Sequence, residues 1–294
     1  MHLAAFLFLL TFVRADAITY SSTGLFSRPA LMIVNLGLVQ SWFPTLTQEF
    51  SYNGVSWSIS TEMAFYLAFP LLLPRIRKHW GACLALAAGL VASMIGLAAL
   101  LHLPADGGIE AITTNTLLYS QPLVRGLEFV TGMASYVFWN RFIRHRAMSV
   151  WTFTAIEAAA LAMVFTWTHR WFWIAQTHFP AWPGLMIWYG EAGSFWAFAI
   201  VIVAFASAGG WIGKAISWRP FIWLGEISFS IYMFHQILIK IFALSLPGIA
   251  SPWTFFPALI ALSAASFYSV EGFGRRWLGS LIGASKPSKR VKGA

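Results

Sequence analysis

Apolar residues run along this chain in long blocks separated by short polar stretches. Blocks of about 17–25 residues have the length a helix needs to cross a bilayer. Read this way, the sequence predicts spans over Trp57–Leu73, Ala82–His102, Leu117–Trp139, Val150–Thr168, Gly193–Trp211, Ile222–Leu246 and Thr254–Val270. Leu3–Val13 is a shorter candidate ahead of them. The expected fold is all-α, a polytopic transmembrane helical bundle of about seven or eight spans. Composition agrees, since 59% of the residues are hydrophobic and only 10% charged, against about a quarter charged in an ordinary soluble domain. The 16 Trp and 26 Phe are an aromatic excess of the kind found near membrane interfaces.

A net charge of +9 raises the question of nucleic acid, and the placement of the charges answers it. Arg75, Arg77 and Lys78 close one span; Arg141, Arg144 and Arg146 close another; Lys214 and Arg219 form a third cluster. Arg275, Arg276, Lys286, Lys289, Arg290 and Lys292 fill the tail. Fourteen of the 19 basic residues thus fall in alternate loops, which the positive-inside rule makes cytoplasmic. Nucleic-acid binding has no support; the expected partner of these clusters is the lipid bilayer. Residues 1–276 are expected to form one transmembrane domain, and residues 277–294 a basic cytoplasmic tail. A single cysteine, Cys83, leaves no cysteine-based metal cluster, the seven histidines show no paired ligand spacing, and no metal site is expected. The N-terminal run ends in Ala15-Asp16-Ala17, which is compatible with a signal-peptidase site. It lacks the basic start of a signal peptide, and a true span is the preferred reading.

One carboxylate stands inside the apolar run Gly54–Trp80. At 100° per residue Ser58, Thr61, Glu62 and Tyr66 share a stripe that must face protein or a wet cavity. Glu62 then lies about 7 Å below the outer interface, and an intramembrane ionisable group is a functional candidate by default. The alternative is an interhelical hydrogen bond that locks packing. Arg125 and Glu128 can pair one turn apart on a helix. Ser228, Tyr232 and His235 share a face of a later span, and a lone histidine there is more often structural than catalytic. Glu157 and Lys240 are weaker candidates of the same kind.

The stretch Trp57-Ser58-Ile59-Ser60-Thr61-Glu62, followed by Phe65-Tyr66-Leu67 and Phe69-Pro70, resembles the signature of the membrane acyltransferase 3 family. Arg125-Gly126-Leu127-Glu128-Phe129 with Gly132, and Leu224-Gly225-Glu226-Ile227-Ser228 through His235, are similar to two further motifs of that family, in its order. The resemblance implies transfer of an acyl group, often acetyl, from an acyl-CoA-type donor to a hydroxyl of a glycan or glycolipid. It implies no bound cofactor, with acyl-CoA as co-substrate. A bacterial inner membrane, with the C-terminus cytoplasmic, is the setting it suggests. Glu62 and His235 are the catalytic candidates; Trp57, Ser58, Ser60, Tyr66, Arg125, Glu128, Ser228 and Tyr232 would line the substrate path. Arg75 and Arg77 would meet the phosphates of the donor. The family pattern opens with a span bearing a basic residue and a histidine base, for which this sequence shows no counterpart; His2 does not occupy that place. The chain is therefore expected to lack the family's first two spans and to be inactive as it stands. A transporter of glycans or lipids and a non-catalytic remnant are the competing readings.

Overall fold

The computed structural model describes residues 1–13, 27–178 and 182–274. The basic tail and the Ala15-Asp16-Ala17 stretch lie outside them. No strand occurs among the described residues. The helices are α1 (His2–Phe12), α2 (Arg28–Leu36), α3 (Leu46–Glu49), α4 (Trp57–Leu100), α5 (Thr114–Tyr119), α6 (Pro122–Phe138), α7 (Val150–His178), α8 (Pro183–Ala192), α9 (Phe195–Phe205), α10 (Trp211–Ile216), α11 (Arg219–Ser245) and α12 (Pro252–Ser266). Among the described residues five helical stretches are long and apolar enough to cross a membrane: Gly54–Leu100, Val150–Thr168, Pro183–Phe205, Arg219–Ser245 and Pro252–Gly274. The protein is an integral, multi-pass, all-helical membrane protein. Two compact units make it up, Ile18–Ile222 and Met1–Ala17 with Trp223–Ala294.

In the larger unit, α4 holds two of the predicted spans. Its 44 residues would measure about 66 Å if straight, more than twice the ~30 Å hydrocarbon core. It is not straight. His79 leaves the helical region at φ −135°, ψ 45°, just after Arg75, Arg77 and Lys78. Ala64 and Leu90, which a straight helix would hold about 39 Å apart, line the same groove. The two arms therefore fold back on each other. Pro70 and Pro74 sit inside the first arm, where each removes one backbone hydrogen bond. The arms and α6 share an apolar core of Ile76, Ala87, Val91, Leu127, Val130 and Met133, and Phe65 stacks on Phe129 at 4.6 Å. Beyond α6 lie α9 and then α7.

Two predicted boundaries need correction. The span expected over Leu117–Trp139 is two helices, because Pro122 has no N–H to continue α5 and starts α6 instead. The apolar stretch placed at Gly193–Trp211 runs from Pro183 to Phe205. A proline starts it, and Gly210 in extended geometry separates it from α10.

In the smaller unit, α1 buries Phe6 and Leu9, and Phe8 meets Phe234 of α11 edge-on at 5.4 Å. The stretch that could be read as a signal sequence is thus a packed helix of this unit. Burial of Ile227, Met233, Phe234 and Ile237 places the apolar side of α11 inward. Ser251 and Thr254 cap α12 reciprocally, each side chain bonding the other's backbone N–H.

Candidate active site

Residues 27–56 form a polar knot at the Trp57 end of α4. Asn35 donates to the Leu31 carbonyl and to Ser51 Oγ, the latter at 2.7 Å. Gln40 donates to the Ser56 carbonyl at 2.9 Å. Leu38 and Tyr52 take positive φ, 55° and 60°, in a region bulky residues enter only when their surroundings hold them there. This knot claims one hydroxyl of the Trp57–Glu62 motif, and the end of α5 claims a second. Ser60 bonds Ser41 Oγ at 2.7 Å and the Leu38 carbonyl at 2.9 Å. Thr61 donates to the Ser120 carbonyl at 2.8 Å. Both are buried and fasten α4 to its neighbours. Ser58 donates to the Val55 carbonyl of its own turn at 3.1 Å.

Glu62 and Tyr66 differ from these. Both are exposed, and the Tyr66 hydroxyl donates to Glu62 Oε2 at 3.1 Å. The stripe drawn through Ser58, Thr61, Glu62 and Tyr66 is therefore divided between a buried fastening side and an open, acidic side.

Next to it the structure gathers Trp57, Arg125 and Glu128. Arg125 pairs with Glu128 at 2.7 Å and donates through Nε to the Tyr119 carbonyl. Its guanidinium lies 5.4 Å from the Trp57 ring and 5.3 Å from the Tyr119 ring, within cation–π range of both. The arginine is 9% exposed, while Glu128 is half-buried at the rim.

Behind Arg125 lies a residue that sequence reasoning missed. Glu49, the last residue of α3, is 1% exposed. Burial pushes its pKa up to about 8, against the opposing pull of Ser120 and of the Arg125 charge. Ser120 faces the carboxyl, yet neither carboxyl oxygen has a partner within hydrogen-bond geometry, so desolvation prevails. The overlooked signal was an acid inside the knot-forming stretch Gln40–Ser56, outside every apolar block. A raised acid pKa favours the protonated folded state. Stability is therefore full below about 4.5 and falls by up to about 1.4 kcal/mol per pH unit as pH rises toward about 8. Glu49→Gln is expected to flatten that slope between pH 5 and 8, measured by thermal unfolding in detergent. An unchanged slope would show that the carboxyl is already ionised in the fold.

In the smaller unit His235 is half-buried, and its Nδ1 lies 2.6 Å from the Tyr232 carbonyl. A carbonyl only accepts, so Nδ1 carries a hydrogen there, and in the neutral ring Nε2 would be the nitrogen with the lone pair that a base requires. Ser228 is exposed and donates to the Gly225 carbonyl at 2.7 Å. Tyr232 is half-buried, with its ring 5.7 Å from that of His235. At the far end of the first arm of α4, Arg75 and Arg77 are exposed.

Glu157 has a structural task. Fully buried in α7, it accepts from the N–H of Gly210 at 2.9 Å and of Gly213 at 3.0 Å. It caps α10 from outside the helix.

Paired polar groups of three separate motifs thus lie on helices of an integral membrane protein. The chain belongs to the acyltransferase domain family, whose pattern it matches over residues 3–270. It is similar to the "Acyltransferase MdmB" of Streptomyces mycarofaciens, 35% identical over 145 residues, covering 43% of this chain and 35% of the relative. It is also similar to "Nose resistant to fluoxetine protein 6" of Caenorhabditis elegans, 24% identical over 271 residues, covering 78% of this chain and 31% of the relative. The chain thus spans about a third of the length of these curated relatives. No solved structure matches it.

Proposed function

We propose that the protein is a membrane O-acyltransferase that moves an acyl group, acetyl in the first instance, from an acyl-CoA donor to a hydroxyl of a glycan or glycolipid. The observation that supports this most is the condition of Glu62. Ser60 and Thr61 of the same motif are buried and bonded into the packing, whereas Glu62 stays exposed beside the Tyr66 hydroxyl. That leaves a carboxylate able to accept the proton of an incoming hydroxyl. As the ester C–O bond forms, the thioester C–S bond breaks, and the proton is delivered finally to the departing CoA thiolate. Arg125 and Glu128 offer a charged pair to orient the acceptor. Basic residues in alternate loops support a cytoplasmic side for the Arg75 end and the C-terminus, and the bacterial inner membrane is the setting the family resemblance implies.

The test is transfer of labelled acetyl from acetyl-CoA to glycan in membrane vesicles containing the protein together with the family's basic–histidine span, supplied in cis or as a separate fragment. Glu62→Gln keeps shape and removes the charge, so transfer is expected to fall about tenfold with the amount of inserted protein unchanged. Full transfer by the Gln variant would return Glu62 to a packing role. No label in glycan from any acyl-CoA would remove the reading.

A further inference from the structure

The two arms of α4 and α6 enclose a groove of about 460 Å³, large enough for a small ligand. Helical spacing builds it. Ala64, Ala68, Leu72 and Arg75 come from one stripe of the first arm, Cys83, Ala87 and Leu90 from one stripe of the second, and Gly126 and Val130 from α6. Every lining residue but one is apolar or uncharged. The exception is Arg75, at the end where the arms meet.

Three observations say what fits there. The groove runs along the first arm from Ala64 to Arg75, about 16 Å. That is close to half of a ~30 Å hydrocarbon core, the depth of one leaflet. Its flanks are open and apolar, with Leu67 72% and Leu86 67% exposed, so it is reached sideways from hydrocarbon. Finally, among the described residues the Arg75 guanidinium has a single partner, the Leu71 carbonyl at 2.5 Å, and no carboxylate there compensates its charge. Arg77 and Lys78 stand beside it, exposed. A site with an apolar trough one leaflet deep and an unpaired arginine at its end is complementary to an anionic phospholipid. We propose that this groove binds one such lipid, with an acyl chain along Leu72, Phe65 and Leu90 and the phosphate on Arg75. Bidentate donation from guanidinium to phosphate, reinforced by the two neighbouring cations, would distinguish this lipid from the zwitterionic lipids that merely coat the protein.

Cys83 lines the groove and is the sequence's single cysteine, so a bimane fluorophore can be placed there without altering any other residue. The experiment measures its quenching in vesicles of phosphatidylcholine into which brominated phosphatidylglycerol or brominated phosphatidylcholine is titrated. Half-quenching is expected at a mole fraction of phosphatidylglycerol at least fivefold lower than of brominated phosphatidylcholine. Arg75→Gln should abolish the difference, Arg75→Lys should keep part of it, and Arg141→Gln, which changes a separate groove beyond α6, should leave it intact. Mass spectrometry of lipid retained through purification gives a label-free second reading, in which phosphatidylglycerol is enriched in the wild-type protein and not in Arg75→Gln. Equal quenching by the two brominated lipids would mean that the groove is covered by bulk lipid, and the proposal fails. Relief of quenching by micromolar palmitoyl-CoA, with no preference between the lipids, would overturn it in favour of the acyl donor. None of these readouts depends on acyl transfer, so the outcome is separate from that of the function proposed above.

Discussion

Replacing Glu157 by Ala is expected to lower stability by about 2–6 kcal/mol, the cost of leaving two buried N–H groups without an acceptor at about 1–3 kcal/mol each. The side chain reaches from α7 to the first turn of α10, where Gly210 and Gly213 present their N–H groups to its two oxygens. Thr154, one turn earlier on α7, accepts from the Trp211 N–H at 2.9 Å. Between them these residues satisfy three donors that the helix itself cannot. The glycines leave room for the carboxylate, since a Cβ on Gly210 would fall 2.2 Å from Glu157 Oε2 and 2.6 Å from the Thr154 nitrogen. Gly210→Ala should therefore destabilise as Glu157→Ala does, and the double variant should fall short of the sum, because both break the same contact. Thermal unfolding in detergent measures all three. A Glu157→Ala protein that melts with the wild type would show that water replaces the carboxylate.

Arg125→Met should also destabilise, by about 1–3 kcal/mol, the cost of leaving a buried acceptor, the Tyr119 carbonyl, without its donor, while Glu128 at the rim keeps access to solvent. The arginine is bonded to Glu128 and to the Tyr119 carbonyl, and it lies against the Trp57 and Tyr119 rings. Its removal also withdraws the charge that holds the Glu49 pKa down, so that carboxyl should titrate still higher. Lysine is a poor substitute, having neither the planar face for two rings nor the fork for a carboxylate and a carbonyl together. Arg125→Lys is expected to keep the fold and to lose acyl transfer more than it loses stability. Equal activity in the two proteins would mean that the guanidinium geometry is immaterial to the reaction.

Much of the site was legible before any coordinates. The pairing of Arg125 with Glu128 follows from their spacing on one helix and is what the structure holds. What could not be read was how each hydroxyl near Glu62 is used. Periodicity placed Thr61 and Glu62 on one stripe, but adjacent residues lie 100° apart, and one packed surface is enough to bury the first and leave the second open. Glu49 was invisible for a different reason. Its burial comes from α5 and α6, more than sixty residues away, and a local window over Leu46–Glu49 shows only a polar turn.

The same division holds for the fold. Hydrophobic length alone dictates that the chain is helical and membrane-embedded, because a backbone in hydrocarbon must bond within its own segment. Local chemistry adds the proline that starts α6 and the mutual Ser251–Thr254 cap. The folding back of α4 at His79, the groove between its arms and the pairing of Glu157 with two distant glycines belong to tertiary structure. Each depends on contacts between residues far apart in sequence, whose energies are settled only when the helices pack.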